Sequence, residues 1–326
     1  MLHTAHGDVE TPFVGIAGTP GDSNGVSPAE LAALGTRVLT TSTYQLLVRP
    51  GVDIVRQHGG LHQWLVWDGP LLADNGRSLP PTARLLRVDN DGLTFASHID
   101  GSRFRLTPES CIAAHEALGA DIGLALDPPD ADRDAERTER WAKRSLEART
   151  RSDQALFVVV STSAMARTLG GLPFDGLALH VNSNGNAISA CVPEHWPRYW
   201  QGGAGLTELF DGIQQGADQL DWTDATRLAH VGQLYTPDGL LDITLEPSSD
   251  DSGPIQAGCG CSACTTGFAR RYVRHLFAAN ELLGPTLASM HNLWFVQAVL
   301  ESVRKAIRVD ALADFRASFM NRYGSA

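Results

Sequence analysis

Lysine is nearly missing from this chain: Lys143 and Lys305 are the only two in 326 residues, and arginine supplies the other 24 of the 26 basic side chains. Against 37 acidic residues this leaves a formal net charge of −11 at pH 7. That balance weighs against a broad phosphate-binding face, because affinity for a polyanion rests largely on neutralised phosphates. Any nucleic-acid surface is therefore expected to be local and built from arginine. No run approaches the roughly 18–20 consecutive apolar residues that a bilayer span needs. The start, MLHTAHGDVETP, has no basic-then-apolar signal region, so the expected location is the cytoplasm, with no membrane partner. No GxGxxG follows an early strand, which removes the main sign of an open dinucleotide-binding sheet. Cysteine is sparse, five in all, and three of them crowd into GCGCSAC, too close together for an ordinary disulfide framework. With 17 Pro, 32 Gly and 43% apolar residues, the composition is that of a compact globular chain and excludes collagen, coiled coil and disordered linker.

One unit keeps returning: a Ser or Thr cap, often followed by Pro, an amphipathic stretch, a Gly, and a short β-branched or Leu-rich run. Ser27-Pro28-Ala29-Glu30 has the capping-box pattern with Pro at the first helical position, and Gly35 closes that helix before RVLTTST, a strand by its Val and Thr content. Thr107-Pro108 opens a helix that Gly119 stops before the strand DIGLALD. A charged helix around RDAERTERWAKRSLEAR, the strands ALFVVV and GLALHV, the helix LTELFDGIQQ and the strand DQLD follow. Such alternation argues for a parallel α/β sheet, open or closed as a (β/α)8 TIM barrel. Asp74, Asp127 and Asp221 each stand at the C-terminal end of a different strand. Barrel enzymes draw catalytic groups from several strand ends, so the barrel is the expected fold. A single such aspartate reads most simply as a turn former or helix cap; three are harder to dismiss. Residues 80–106 show no clear pattern.

After residue 232 the pattern changes. GQLYTPDGLLDI reads as a hairpin turning on Pro237-Asp238-Gly239, and two helical stretches, RYVRHLFAANELLG and HNLWFVQAVLESVRKAI, follow the cysteines. The expected division is residues 1–232 for the main part of the barrel and 233–326 for a zinc-binding subdomain with closing helices. Cys259-x-Cys261-x2-Cys264 puts three thiolates on one tight loop, a donor set for tetrahedral Zn²⁺ once a fourth ligand arrives. His291, at the start of the last helical stretch, is expected to supply it. Four ligands would make the site structural, with no open position for water. The plain alternative is three buried free cysteines beside a capping histidine.

HGDVETPF, GTRVLTTSTYQLLVRPG, HGGLHQWLVWDGPLLAD, SHIDGSRFRLTPE, ALGADIGLALD, GADQLD and the stretch from CGCSAC through HLFAANELLG to HNL stand in the order of one family. Over nearly its whole length the chain resembles the tRNA-guanine transglycosylases, or queuine tRNA-ribosyltransferases. The resemblance implies a (β/α)8 barrel with a zinc subdomain, a homodimer, and exchange of a guanine in RNA for another base, typically a 7-deazaguanine. It places Asp221 on the nucleophile, Asp74 on the acid/base that serves the leaving and incoming bases, and Asp127 on the aspartate that hydrogen-bonds the base. It places Cys259, Cys261, Cys264 and His291 on the zinc ligands and Arg227 on an RNA-contacting arginine. The chemistry is coherent without the name, since base replacement at C1′ with retention needs two displacements, one carboxylate attacking while another acid handles the purine's proton.

The departures from the family cluster in the base pocket. NGRSL puts Arg77, Ser78 and Leu79 where the family has glycine, a stacking aromatic and glutamine. Ser161 stands for a glutamine that reads a purine carbonyl, and His180-Val181-Asn182 for Gly-Gly-Leu. Gln201 replaces a methionine under the base, although Gly202 is kept. Ser42 and Gln45 replace Asn and His, His230 stands at a second arginine position, and little of the family's N-terminal strands precedes His3. Arg77, Ser161, His180 and Gln201 are thus the expected specificity residues. His180 also has a plain reading as a strand-end histidine, and Arg77 as the partner of a surface acid. Three functional readings follow. The first is exchange of guanine or a related purine in tRNA for a 7-deazaguanine-type base. The second is the same chemistry on a free purine nucleoside or nucleotide, making a 7-deazapurine metabolite. The third is a non-catalytic partner subunit, against which the three aspartates count.

Overall fold

The structure, a computed structural model, describes residues 1–18, 25–76, 82–129, 131, 134–180, 185–203 and 205–324. Eight strands form its centre: β1 (Phe13–Ala17), β2 (Val38–Thr41), β3 (Leu71–Ala73), β4 (Ile122–Leu124), β5 (Ala155–Val160), β6 (Gly176–His180), β7 (Arg198–Gln201) and β8 (Gln219–Asp221). They close in chain order into a parallel barrel, so the expected (β/α)8 class is the one found. β1, β3, β4 and β5 read as unbroken apolar runs because helices cover the outer face and side chains fill the inner one. Every residue of β3 and β4 is buried, and so is β5 from Leu156 to Val160.

The helix ends follow the local chemistry. Ser27 caps the helix Pro28–Ala33: its hydroxyl accepts the Glu30 N–H while the Glu30 carboxylate accepts the Ser27 N–H. Thr107 caps Pro108–Leu118, and Gly119 ends that helix at φ 75°, a conformation that is strained for residues with a Cβ.

The chain divides into two compact units. One comprises Met1–Thr11, Val38–Gly202 and Gln215–Leu220. Besides strands β2 to β7 it holds a small hairpin of Leu2–Thr4 with Gly7–Val9 and a three-stranded antiparallel sheet of Arg84–Val88, Leu93–Ala96 and Arg103–Leu106. That sheet occupies the stretch that is illegible in sequence. Its edge strand exposes Arg84, Leu85, Leu86 and Arg87 in succession, so no alternation marks it, and Leu93, Phe95 and Leu106 pack with Tyr44, Cys111, Leu126 and Trp141.

The other unit comprises Pro12–Arg37, Gly203–Gln214 and Asp221–Ala326. Gln233–Thr236 pairs antiparallel with Gly239–Asp242 across Pro237-Asp238, as the sequence predicts. Leu234, Ile243, Ile255, Val273, Leu276 and Leu287 form a core around the cysteines. One expectation is corrected here. His291 does not open the last helix; it lies about two turns inside a helix running Leu283–Arg308, and Leu312–Tyr323 follows. The helix starts early because Pro285 sits in its first turn, where a missing N–H costs no hydrogen bond. Among the described residues no helix is long and apolar enough to cross a membrane.

Candidate active site and metal centre

β3 ends at Ala73, and the turn after it carries Asp74 and Asn75, both buried. Asp74 Oδ1 accepts the backbone N–H groups of Thr43 at 2.7 Å and Gly76 at 2.9 Å. Its backbone carbonyl accepts from Thr43 Oγ1 at 2.5 Å and from His115 Nε2 at 2.8 Å. Main chain and side chain are thus both fixed. Burial pushes His115 down to about 4, outweighing the opposing effect of its bond to the Asp74 carbonyl. The ring is therefore neutral at pH 7 with its proton on Nε2. Gly123 in β4 makes room for it, since a Cβ there would lie 2.6 Å from His115 Nδ1.

Asp127 lies three residues beyond β4 and is buried. Asn75 Nδ2 donates to Asp127 Oδ1 at 2.6 Å and to the Ala125 carbonyl at 3.3 Å. Asp127, Pro128, Pro129, Ala131, Val159, Ser161, Met165 and His180 line a cavity of about 90 Å³. Three of the expected substrate residues, Asp127, Ser161 and His180, therefore share one space. Ser161 Oγ donates to Met165 Sδ at 3.3 Å. His180 ends β6 exposed, in register with Gln201 at the end of β7, and Gly202 follows at φ 72°. Among the described residues, Gln201 and Gly202 do not line that cavity. Arg77 lies outside the described residues, as do Ser78, Leu79, Val181 and Asn182.

In the second unit, partly buried Asp221 ends β8 and precedes buried Trp222 and the helix Asp224–His230. Arg227 on this helix has 64% of its side chain exposed and is tied to Asp224, with Nε at 2.8 Å and Nη2 at 2.6 Å from Oδ1. Its guanidinium is thus presented to solvent in a fixed posture.

Cys259, Cys261, Cys264 and His291 come together, all buried. Each of the three sulfurs lies 3.6 Å from His291 Nδ1. The backbone N–H of Cys261 points at Cys259 Sγ and that of Cys264 at Cys261 Sγ, both at 3.4 Å. His291 Nε2 donates to the Tyr235 carbonyl at 2.8 Å, which turns Nδ1 toward the sulfurs. Burial alone would lower His291, but its hydrogen bonds with Cys261 and Cys264 outweigh burial and raise it to about 9. The four donors are positioned to bind a metal ion. Next to His291, Asn292 Nδ2 donates to the carbonyls of Ala225 and Gln233 at 3.0 Å, and Oδ1 accepts the Tyr235 N–H at 2.9 Å. It fastens the helix that carries His291 to the helix that carries Arg227.

Thr43, Asn75, His115 and Asn292 are positioning residues that sequence reasoning misses. The available signal is faint: a polar residue inside an apolar run, as in CIAAHEAL and HNLWFV.

A family model described as queuine tRNA-ribosyltransferase matches residues 1–325. Queuine tRNA-ribosyltransferase of Thermus thermophilus is 39% identical, covering 98% of this chain and 90% of the relative. Those of Symbiobacterium thermophilum, at 37%, and Herpetosiphon aurantiacus, at 36%, each cover 99% of this chain and 87% and 89% of the relative.

Proposed function

The chain belongs to the queuine tRNA-ribosyltransferase family, a family of pentosyltransferases, and from that premise we propose that it is a tRNA-guanine transglycosylase. It removes guanine from a ribose of tRNA and installs a 7-deazaguanine-type base by two displacements at C1′. In the first, an Asp221 carboxylate oxygen bonds to C1′ as the C1′–N bond breaks, and Asp74 gives a proton to the leaving purine. In the second, the ring nitrogen of the incoming base bonds to C1′, its proton passes to Asp74, and the Asp221 ester bond breaks. Two inversions give net retention. Asp127 accepts hydrogen bonds from the guanine-like N1–H and exocyclic amine.

One observation carries the assignment. The two acids given to the base meet at the loop that follows β3: Asp74, within it, is held by the N–H groups of Gly76 in the same loop and of Thr43 after β2, and Asp127 by the Asn75 amide of that loop at 2.6 Å. Carboxylates serving only as caps or turns would have no need of a shared, buried scaffold. Ser161 and His180 border Asp127 in the cavity and set which base is accepted, together with Gln201, Gly202 and Arg77. Arg227 meets the RNA.

The metal is zinc in this reading. A tetrahedral ion about 2.3 Å from sulfur and about 2.0–2.1 Å from nitrogen has S···N edges of about 3.6 Å, as found at all three cysteines. With four protein ligands it is structural and organises the zinc-binding subdomain, residues 233–326, which follows the main part of the barrel, residues 1–232. The enzyme works in the cytoplasm as a homodimer.

Denaturing electrophoresis after incubation with tRNA tests the nucleophile. Wild-type protein gives an RNA-linked band, and Asp221→Asn gives none while still binding tRNA. An adduct at wild-type yield in Asp221→Asn would remove Asp221 from this role. The substitutions at Ser161 and His180 and the net charge of −11 favour a second reading, a free purine nucleoside or nucleotide as ribosyl donor. An adduct formed with guanosine or its phosphates and not with tRNA would select it.

A further inference from the structure

We propose that His6, His62 and Asp121 form a second metal site, for a divalent first-row transition ion, separate from the cysteine site and unused by base exchange. Asp121 immediately precedes β4, so it lies at the opposite end of that strand from Asp127. His6 stands in the turn of the Leu2–Val9 hairpin and His62 in the helix Leu61–Leu65.

The donor atoms converge. Asp121 is buried, His6 Nδ1 lies 2.6 Å from its Oδ1, and His62 Nε2 lies 3.3 Å from its Oδ2. All three ligand atoms lie within 4.8 Å of one another, and the two imidazoles stack with centroids 3.6 Å apart. Two imidazoles and one carboxylate suit first-row ions and leave positions for water.

The surroundings are those of a metal site. Ligating histidines commonly donate their other N–H to a backbone carbonyl, and ligating carboxylates are themselves hydrogen-bonded. His62 Nδ1 lies 2.9 Å from the Trp67 carbonyl, and the Leu71 N–H donates to Asp121 Oδ2 at 2.8 Å. His62 Nε2 and His6 Nδ1 are thus turned to the two oxygens of one buried carboxylate, at 3.3 Å and 2.6 Å. An ion there takes the place of the protons that otherwise join these groups. On binding, the His6 Nδ1 proton is exchanged for one on Nε2 and a proton held at His62 Nε2 leaves to solvent, so both ring nitrogens offer lone pairs to the ion. With 37% of its side chain exposed, His6 provides the entry path. The ion then clips the hairpin turn to residue 62 and to the start of β4, stabilising the folded form by binding it alone.

Zinc alone is the probe. Wild-type protein equilibrated with micromolar Zn²⁺ and exchanged into metal-free buffer retains two zinc ions per chain, and its Tm rises by several degrees. His6→Ala and His62→Gln retain one and show no rise. Cobalt(II) titration covers the case in which a variant fails to fold: one equivalent brings thiolate-to-cobalt charge transfer, and a second binds without increasing it. Wild-type protein that stops at one zinc, shows no Tm response and gives only the thiolate-linked cobalt equivalent would overturn the site. Two zinc ions in both folded variants would overturn it as well.

Discussion

Asn75 and His115 illustrate how neutral side chains govern charged ones. Asn75 donates to Asp127 at 2.6 Å inside a buried pocket, and a hydrogen bond to a charged group is worth about 1.5–3 kcal/mol. Asn75→Ala is therefore expected to raise KM for the incoming base roughly ten- to hundredfold while kcat changes little; steady-state kinetics with an unchanged KM would contradict the role. His115 makes a pH prediction. Its folded value of about 4 lies below the ordinary 6.5, so between these values the unfolded chain binds more protons. The contribution is fully present above pH 6.5 and is lost as pH falls toward 4, on the order of 3 kcal/mol. Urea unfolding at pH 7 and pH 4.5 should show the loss in wild type and a much smaller one in His115→Gln. Such residues are hidden from sequence because their roles depend on partners far along the chain: Asn75 meets a residue 52 positions away and His115 a carbonyl 41 positions away.

At the scale of elements, β4 and the helix Pro108–Leu118 fit through Gly123. A methyl group there would sit 2.6 Å from His115 Nδ1, in a fully buried ring that cannot swing clear. Gly123→Ala is expected to cost about 1–3 kcal/mol, read as a lower Tm, and to reduce kcat because His115 holds the Asp74 carbonyl. A variant with wild-type Tm and kcat would show that the ring has room to move. The elements themselves were legible where caps and breakers bound an apolar run, as at Ser27-Pro28, Thr107-Pro108 and Gly119. They were not legible between residues 84 and 106, where an edge strand exposes four successive side chains. Nor was the true start of the helix that carries His291, eight residues before that histidine, because Pro285 masks it as a break.

For the whole molecule, the strand–helix alternation announces the barrel, and the cysteine spacing with His291 announces the metal centre. The proposed base pocket was only partly legible: Asp127, Ser161 and His180 share a cavity, which spacing could not reveal. Cys264→Ser, or prolonged exposure to a strong chelator, is expected to lower Tm sharply, with ion loss from the cysteine site confirmed by metal analysis, since three sulfurs and Nδ1 otherwise crowd a buried pocket. Base exchange on tRNA is tested by incorporation of isotopically labelled guanine by the purified protein, run side by side with bulk tRNA and with guanosine and guanine nucleotides. Label is expected in tRNA and is lost in Asp221→Asn. Label confined to the small molecules, or absent from both, would contradict base exchange on tRNA.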